Sequence, residues 1–361
     1  MSHAQDALDE SLGSYWPGDE ERGAQAPLTT AQGKPAMSFS ILNHVIQERV
    51  ISPRKILLHG VEGVGKTTWA CKAPKPFLIA TEPGSDAMEV PKLPSLVTDW
   101  QIPAEEEEVA FQHGYIGFLN VLRTLARSYA DQSIGYKTII IDSVDWLERI
   151  IWEDVCANQK WFIEKCRLNK SQVANKSITD FGYGKGYDYA SDRFSRAIQG
   201  LNHFTSKCGA QVILIAHTTV QTFQDPQHEP YDRYTPKLHK KAGALLKEWC
   251  DEILFANWKT SITTTEEGFD KQRHRGHGTG ERIMLTEERP AYVAKNRISG
   301  MPHELPLSWE AYSQYAYPSR KKEEPTNEQQ QQQPEARGDQ GDGAGQQQQP
   351  VTAGEGNTGD Q

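Results

Sequence analysis

Residues 55–73 read KILLHGVEGVGKTTWACKA, and this stretch decides the fold. Within it, Gly60, Gly65, Lys66 and Thr67 have the spacing G-x-x-x-x-G-K-[ST] directly after an apolar run. Glycines allow several backbone N–H groups to turn toward one phosphate, and the N-terminal end of the following helix adds positive charge. The stretch therefore predicts a strand, a phosphate-binding loop and a helix.

The predicted loop also gives roles to its side chains. The ammonium of Lys66 is expected to reach the β- and γ-phosphates, and the hydroxyl of Thr67 to ligate Mg²⁺. No segment of the sequence matches N-K-x-D, the guanine signature, so ATP is favoured over GTP. The nucleotide-binding residues predicted from the motif are Gly60, Val61, Glu62, Gly63, Val64, Gly65, Lys66, Thr67 and Thr68.

Composition divides the chain of 361 residues into three parts. Residues 1–37 hold six acidic and two basic side chains, and residues 321–361 are rich in Gln and Gly, with eight acidic and three basic side chains. Both segments have few large apolar residues and are predicted to be disordered arms. Their charges of −4 and −5 account for the whole formal charge of −9. The predicted folded domain, residues 38–320, is thus close to neutral, and the acidic chain does not argue against nucleic acid as a partner.

Cysteine usage and hydropathy indicate the cellular compartment of the protein. The five cysteines include no C-x-x-C pair, which is typical of reduced thiols in a cytosolic protein. His274 and His277 in RHRGHG have no cysteine or carboxylate partners nearby, so a solvated loop is predicted there rather than a zinc site. The sequence has no signal peptide and no apolar run near 18 residues. We therefore expect a cytoplasmic protein with no membrane contact.

Short apolar runs recur along the domain: KILLHG, PFLIATE, YKTIIIDS, QVILIAH and DEILFANW. Such runs are typical of parallel strands covered on both faces. Helices are predicted in the intervals, notably over residues 115–130 and 192–207. The sequence therefore predicts an α/β fold with a mostly parallel sheet flanked by helices and a phosphate site at the strand carboxyl ends. Beyond Trp258, the runs SITTTEEGF, ERIMLTEE and AYVAKNRI predict a short antiparallel extension with a polar loop at residues 266–281.

The predicted strands end on side chains that suit ATP hydrolysis. Asp142 ends TIIID and is predicted to bind Mg²⁺ opposite Thr67, although it can instead cap the next helix. Its neighbour is Ser143 and not a Glu, so the group that deprotonates the attacking water must come from elsewhere. Glu82, after the second strand, is the first candidate for this base. Asp145 is the second.

The strand QVILIAH ends on His217. A polar side chain at this position is predicted to respond to the γ-phosphate and to pass that response to the loop that follows. A histidine that only satisfies its own hydrogen bonds at a strand end is the alternative.

The order of these motifs resembles the RecA/RadA core. The segments that carry the resemblance are 56–84 (ILLHGVEGVGKTTWACKAPKPFLIATEPG), 136–147 (YKTIIIDSVDWL), 182–187 (GYGKGY), 212–219 (VILIAHTT), 248–258 (EWCDEILFANW) and 294–297 (AKNR). They are similar to the phage-encoded RecA-like P-loop ATPases, also called phage nucleotide-binding proteins, some of which are single-strand annealing proteins. The resemblance covers residues 53–310.

The resemblance implies an ATPase with ATP and Mg²⁺ as cofactors, which binds single-stranded DNA and assists phage recombination, annealing or replication. It also implies a homo-oligomeric ring or filament, a single-strand-binding or replication protein as a partner, and the host cell cytoplasm as the location. Lys295 and Arg297 match the paired basic residues that reach a neighbouring subunit's γ-phosphate; a solvated strand end is the alternative. The chain lacks the recognisable N-terminal domain of cellular recombinases, which leaves full strand exchange open.

Two segments mix aromatic and basic residues as sites for single-stranded DNA do. These are DFGYGKGYDYASDR (180–193) and TTVQTFQDPQHEPYDRYTPKLHKK (218–241), and both correspond by resemblance to the DNA-binding loops of RecA-like cores. The predicted DNA-binding residues are Tyr183, Lys185, Tyr187, Phe223, Arg233, Tyr234, Lys237, Lys240 and Lys241. In the alternative, the aromatic rings pack within their own loops and the lysines are solvated.

Two other functions fit a phosphate-binding loop. A small-molecule kinase needs an acceptor pocket and a basic lid, and the sequence has no Arg-rich lid segment. A nucleotide-gated interaction module would bind ATP with little hydrolysis, and Glu82 argues against it. The predicted catalytic residues are Glu82, Lys66, His217, Lys295 and Arg297.

Overall fold

The computed structural model describes residues 52–84, 87–97, 113–157, 177–266 and 272–318. The two predicted arms, residues 1–37 and 321–361, lie outside the described residues. The strands are β1 (Lys55–Gly60), β2 (Pro76–Ala80), β3 (Thr138–Asp142), β4 (Gln211–Phe223), β5 (Tyr231–Pro236), β6 (Glu252–Glu266), β7 (Gln272–Leu285) and β8 (Glu304–Pro306). The α-helices are α1 (Lys66–Cys71), α2 (Gly114–Ala130), α3 (Val144–Ala157), α4 (Lys185–His203), α5 (Lys240–Trp249) and α6 (Trp309–Ala316).

The sheet has the strand order β2-β3-β4-β1-β6-β7-β8, and β5 pairs with β4 beside this path. The five apolar runs form its parallel part, β2, β3, β4, β1 and β6, as predicted. Strands β7 and β8 then add antiparallel pairs on the side of β6. The predicted α/β fold, a mostly parallel sheet with an antiparallel extension, is confirmed.

Successive side chains of the central strands pack alternately in two separate hydrophobic cores, one on each face of the sheet. Leu57 of β1 packs in the core that α2, α3 and α4 cover, whereas Ile56 and Leu58 pack in the core on the other face with α1 and α6. Such a strand must be apolar on both faces, because helices remove both faces from water. This explains why the strand sequences are unbroken apolar runs.

Helix α6 fixes the helix that follows the phosphate-binding loop. The indole of Trp69 in α1 lies 4.9 Å from the ring of Trp309 and 5.2 Å from the ring of Tyr312, between ring centroids. Tyr312 is fully buried and donates a hydrogen bond to Glu252 Oε2, at 2.5 Å, at the start of β6. Glu252 also accepts a 2.6 Å hydrogen bond from Arg54, which precedes β1. The short helix α1 is therefore held against the sheet by tertiary packing, which a six-residue helix requires.

The prediction for the antiparallel extension was wrong in its boundaries. Strand β6 continues through Glu266, and β7 already begins at Gln272, so residues 272–281 are a strand and not part of a polar loop. The two strands extend this far because the backbone N–H and C=O groups of β6 and β7 pair with each other over most of the length of both strands. The run AYVAKNRI forms isolated bridges, one of them between Ile253 and Lys295, instead of a strand.

Two predicted helices are confirmed in position, with changed boundaries. Helix α2 begins at Gly114, one residue before the predicted start. Helix α4 begins at Lys185, seven residues before the predicted Asp192, after Gly184 turns the chain with a φ of 70°. A π-helical turn at Phe204–Cys208 follows its last residue. Among the helices that the structure describes, none is long and apolar enough to span a bilayer.

Candidate nucleotide-binding site

Parallel pairing brings the ends of four strands to one edge of the sheet. Gly60 of β1 is in register with His217 of β4, and Ala80 of β2 is in register with Asp142 of β3. The chain turns from β1 into the glycine-rich loop at this edge. The residues predicted from separate motifs therefore converge on one place, which is where ligands bind in open α/β sheets.

The conformation of the loop depends on its glycines. A Cβ atom on Gly60 would lie 2.2 Å from the carbonyl oxygen of Ala256 in β6, so only glycine fits that contact. Gly63 and Gly65 have φ angles of 70° and 102°, in the left-handed region that favours glycine. A Cβ on Gly63 would meet no atom within 4 Å, so this side of the loop is open to a phosphate.

Lys66 is buried at the start of α1, and its Nζ donates hydrogen bonds of 3.0 Å to the carbonyl oxygens of Gly60 and Val61. Burial lowers the pKa of Lys66, and the nearby carboxylates, led by Asp142, oppose that shift. The ammonium therefore lies inside the curve of the loop, where a phosphate can replace the two carbonyls as its partner.

Thr67 and Asp142 lie face to face although 75 residues separate them. The Thr67 hydroxyl donates a 2.8 Å hydrogen bond to Asp142 Oδ2. Burial raises the pKa of Asp142, while this hydrogen bond and the charge of Lys66 oppose the rise. A hydroxyl and a carboxylate oxygen are ligands that suit Mg²⁺, so the donor set fits the predicted ion.

Glu82 follows β2 and faces the same site. Its Oε2 accepts a 3.2 Å hydrogen bond from the Ser143 hydroxyl and lies 3.9 Å from His217 Nδ1. Burial raises the pKa of Glu82, and the charge of Asp142 adds to the rise. A carboxylate with a raised pKa is a stronger base, as the predicted role requires.

Asp145 belongs to the same cluster but is engaged differently. Its Oδ1 accepts from the backbone N–H of His217 and its Oδ2 contacts His217 Nδ1, both at 3.0 Å. Burial alone would raise the pKa of Asp145, but the two hydrogen bonds from His217 hold it below the ordinary value. The geometry therefore favours Glu82 over Asp145 as the base and gives Asp145 the role of holding His217.

The structure does not bring Lys295 and Arg297 to this site. Lys295 Nζ donates to the carbonyl oxygens of Lys247 and Cys250, at 2.6 and 2.7 Å, where α5 ends. The exposed guanidinium of Arg297 donates to Asp251 at 3.0 Å. Asp251 is hydrogen-bonded to Lys55, the first residue of β1, so both basic residues lie at the edge opposite the loop. Within one chain they cannot reach a bound γ-phosphate.

The predicted DNA-binding residues divide by accessibility. The side chains of Tyr183, Lys185, Phe223, Lys237 and Lys240 are exposed. Phe223 lies on the β4–β5 hairpin, which occupies the segment that the sequence predicted as a loop. These five residues are free to meet a ligand from solvent.

The remaining four candidates have protein partners. The Tyr187 ring stacks on His239 with centroids 4.1 Å apart, Tyr234 stacks on Phe255 at 5.2 Å, and Lys241 pairs with Asp188. Arg233 is buried, and its guanidinium lies 2.5 Å from Glu288. Arg233 is therefore not accessible to a DNA strand, because an ion pair across 55 residues of sequence holds it in the protein.

Glu148 is a residue that the sequence reasoning missed. It lies one helical turn after Asp145 on α3, and its two carboxylate oxygens accept from the backbone N–H of His239 at 3.2 and 3.0 Å. Burial raises its pKa to about 7. The two carboxylates of α3 thus hold both ends of the segment 217–239, which contains the β4–β5 hairpin. Asp142, Asp145 and Glu148 follow one another at intervals of three residues. This spacing is the sequence signal that could have identified Glu148 as part of the cluster.

A cleft of about 500 Å³ lies between α3 and the hairpin. Its lining includes Trp146, Arg149, Trp152, Gln221 and Lys237. The Arg149 guanidinium lies 4.4 Å from the Trp146 ring centroid. Aromatic and basic side chains therefore line a cleft that reaches Asp145 of the site.

Comparison with known proteins agrees with this site. The model of the AAA domain family matches residues 52–298. Among solved structures, the chain is similar to the crystal structure of the RadB recombinase, with 13% sequence identity, coverage of 67% of this chain and 86% of that chain, and a TM-score of 0.30. No curated protein matches the chain. Because the matched region is more than half of the sequence, the protein belongs to the AAA domain family of P-loop ATPases.

Proposed function

We propose that the protein is a Mg²⁺-dependent ATPase that binds single-stranded DNA and uses ATP turnover in recombination, annealing or replication of phage DNA. The observation that carries the ATPase part is the 2.8 Å hydrogen bond between Thr67 and Asp142 beside the buried Lys66. Two predicted magnesium ligands and the phosphate-binding lysine meet there, although Asp142 lies 75 residues beyond Thr67 in the sequence.

The hydrolytic roles follow from the contacts of each side chain. Lys66 binds the β- and γ-phosphates, and Thr67 and Asp142 hold Mg²⁺, which supplies charge neutralisation when it is bound. Glu82 orients the attacking water and accepts its proton. The Ser143 hydroxyl fixes the Glu82 carboxylate through their 3.2 Å hydrogen bond.

His217 connects the site to the proposed DNA surface. It directly follows the buried residues of β4, and the strand becomes exposed from Val220 to Phe223 in the hairpin. Because Asp145 holds His217 and Glu148 holds His239, a movement of α3 at the γ-phosphate would move both ends of this hairpin. This arrangement supports coupling between ATP and a ligand of the hairpin.

Exposed aromatic and basic residues support single-stranded DNA as that ligand. Tyr183, Phe223 and Lys237 are exposed, and the cleft between α3 and the hairpin adds Trp146 and Arg149. Base stacking on one aromatic ring contributes about 1–3 kcal/mol, so one or two such contacts suffice for measurable binding. The placement of Arg297 away from its own loop supports a homo-oligomer, a ring or filament, in which it serves the neighbouring subunit. A single-strand-binding or replication protein is the proposed further partner.

ATP hydrolysis by the full chain, measured with and without a single-stranded oligonucleotide, tests the proposal. We expect Mg²⁺-dependent turnover that rises with DNA and is lost in Lys66→Ala. Lys207→Ala, which removes an exposed lysine outside the site, is the matched control and should retain turnover. ATP turnover that does not change when DNA is added would contradict only the part of the proposal that concerns single-stranded DNA. Equal rates in wild type and Lys66→Ala would contradict the ATPase site itself.

A further inference from the structure

The residues predicted to face the γ-phosphate determine in which direction a bound nucleotide runs along the loop. Glu82 follows β2, Asp142 ends β3 and His217 lies within β4, and these three strands are all on one side of β1. Strands β6 and β7 lie on the other side of β1. A triphosphate whose γ end meets those three residues therefore extends its ribose and base toward β6 and β7.

An arginine of β7 touches the loop on this side. Arg282 is exposed, and a Cβ atom on Gly65 would lie only 2.9 Å from its Nη1. In the described part of the chain, no hydrogen bond or ion pair engages the Arg282 guanidinium. Beside the residue that precedes Lys66 there is thus a guanidinium that pairs with none of the described residues. Its five N–H groups suit a phosphate oxygen.

A tryptophan of β6 stands directly opposite. Trp258 is in register with Arg282, so both side chains lie on the same face of the sheet. Ala256 lies two residues before Trp258, and its cross-strand partner Met284 lies two residues after Arg282. This neighbouring pair is on the same face of the sheet, and both residues pack in the core that contains α1. Trp258 and Arg282 therefore continue the α1 face one step beyond the buried core. The Trp258 side chain keeps 40% of its surface exposed, an unusual exposure for so large an apolar ring.

We propose that Trp258 and Arg282 form the nucleoside end of the ATP site, in which the Trp258 indole stacks on the adenine ring and the Arg282 guanidinium binds the phosphate next to the ribose. This inference rests on the proposed function, because it requires ATP in the loop. The indole gives a wide π-face on which the two rings of a purine overlap more than the single ring of a pyrimidine, and the guanidinium gives a charge-assisted hydrogen bond. The subsite thereby favours a purine nucleotide over a bare polyphosphate.

Binding of three probes separates the two roles. ATP, UTP and inorganic tripolyphosphate compete with a fluorescent ATP analogue for the full chain and its variants. In Trp258→Ala, the dissociation constant of ATP should rise about 5- to 100-fold, as for the loss of one stacked base. Its preference for ATP over UTP should fall, and its affinity for tripolyphosphate should stay unchanged. In Arg282→Ala, affinity for ATP should fall about 10-fold or more, and affinity for tripolyphosphate should fall with it.

Controls keep the outcomes distinct. Trp258→Phe retains a stacking ring and should keep most of the affinity, and Arg289→Ala removes another exposed arginine and should bind ATP as the wild type does. If Trp258→Ala and Arg282→Ala bind ATP normally while Lys66→Ala does not, the subsite is overturned and the proposed function stands. If the wild type does not bind ATP, the proposed function fails first and the subsite fails with it.

Discussion

Asp145 accepts two hydrogen bonds from His217, one from the backbone N–H and one from Nδ1, and both measure 3.0 Å. One carboxylate thus fixes both the backbone at the end of the buried part of β4 and the orientation of the imidazole. With Nδ1 engaged, only Nε2 remains for a further partner. The pair therefore links the first turn of α3 to the strand that leads into the hairpin.

Replacing Asp145 by Asn should uncouple the imidazole from this carboxylate. The side-chain hydrogen bond to Asp145 raises the pKa of His217, so the pKa of His217 should fall in Asp145→Asn. Titration of the imidazole signals by NMR measures the change directly. Any DNA stimulation of turnover should also weaken, because the hairpin loses one of its two anchors. An unchanged His217 titration in a folded variant would show that the hydrogen bond does not control the imidazole.

Glu82→Gln should retain ATP binding and lose hydrolysis. An amide can still accept the hydrogen bond from Ser143, but it cannot take a proton from water, so turnover should fall about 10²- to 10⁴-fold. Single-turnover hydrolysis and equilibrium ATP binding measure the two effects separately. Glu89→Gln, a change at an exposed glutamate beyond the site, is the control. Normal hydrolysis in Glu82→Gln would move the base to another residue, with Asp145 the next to test.

Local sequence patterns were sufficient for the fold and for naming the polar residues that converge beside the glycine-rich loop. The run Ile139–Asp142 predicted both a buried strand and the position of a carboxylate at its end, because both follow from strand direction alone. The partners of Arg233 and Lys295 were not predictable in this way. Arg233 pairs with Glu288 and Lys295 with the carbonyl of Lys247, and both contacts join segments that only the tertiary fold brings together.

The pair Trp258 and Arg282, the proposed nucleoside subsite, was missed for a related reason. Trp258 and Arg282 meet because β6 and β7 pair in antiparallel register, with an irregularity directly after Trp258. A one-residue change of register would move either side chain to the other face of the sheet. Sequence patterns do not fix such a register across a connection whose length was itself predicted wrongly.

A mixing experiment tests whether Arg297 serves a neighbouring subunit. Lys66→Ala subunits lack a working loop, and Arg297→Ala subunits lack the trans arginine, so a mixed interface can combine one intact loop with one intact arginine. We expect each variant to be inactive alone and the mixture to regain turnover. A trans arginine contributes about 10³- to 10⁵-fold to rate, so a small recovered fraction is detectable.

Arg297 is the better residue for this test than Lys295. Arg297 is exposed with one ion-pair partner, whereas Lys295 donates to two carbonyl oxygens at the end of α5 and its removal would disturb that helix end. Native mass spectrometry must establish that the two variants assemble together. A co-assembled mixture without recovered turnover would count against the interface role.

Glu148 should make the stability of the domain depend on pH near neutrality. Burial, with a smaller contribution from the charge of Asp145, raises its pKa from an ordinary value of 4.5 to about 7, against the opposing effect of the hydrogen bond from the His239 N–H. The folded state therefore binds a proton more tightly than the unfolded state. The corresponding stability is fully present below pH 4.5 and is lost as the pH rises through 7.

Glu148→Gln removes this titration and keeps an oxygen that can accept from His239. Relative to wild type, the variant should gain free energy of unfolding as the pH rises from about 5 to 8, by at most about 3 kcal/mol. Urea unfolding across that range measures the difference, and titrations common to both proteins cancel in it. Glu153→Gln, a change at an exposed glutamate of the same helix, should give a curve parallel to wild type. A Glu148→Gln curve that also runs parallel to wild type would show that this carboxyl titrates alike in the folded and unfolded chain, and the clamp on His239 would then be insensitive to pH.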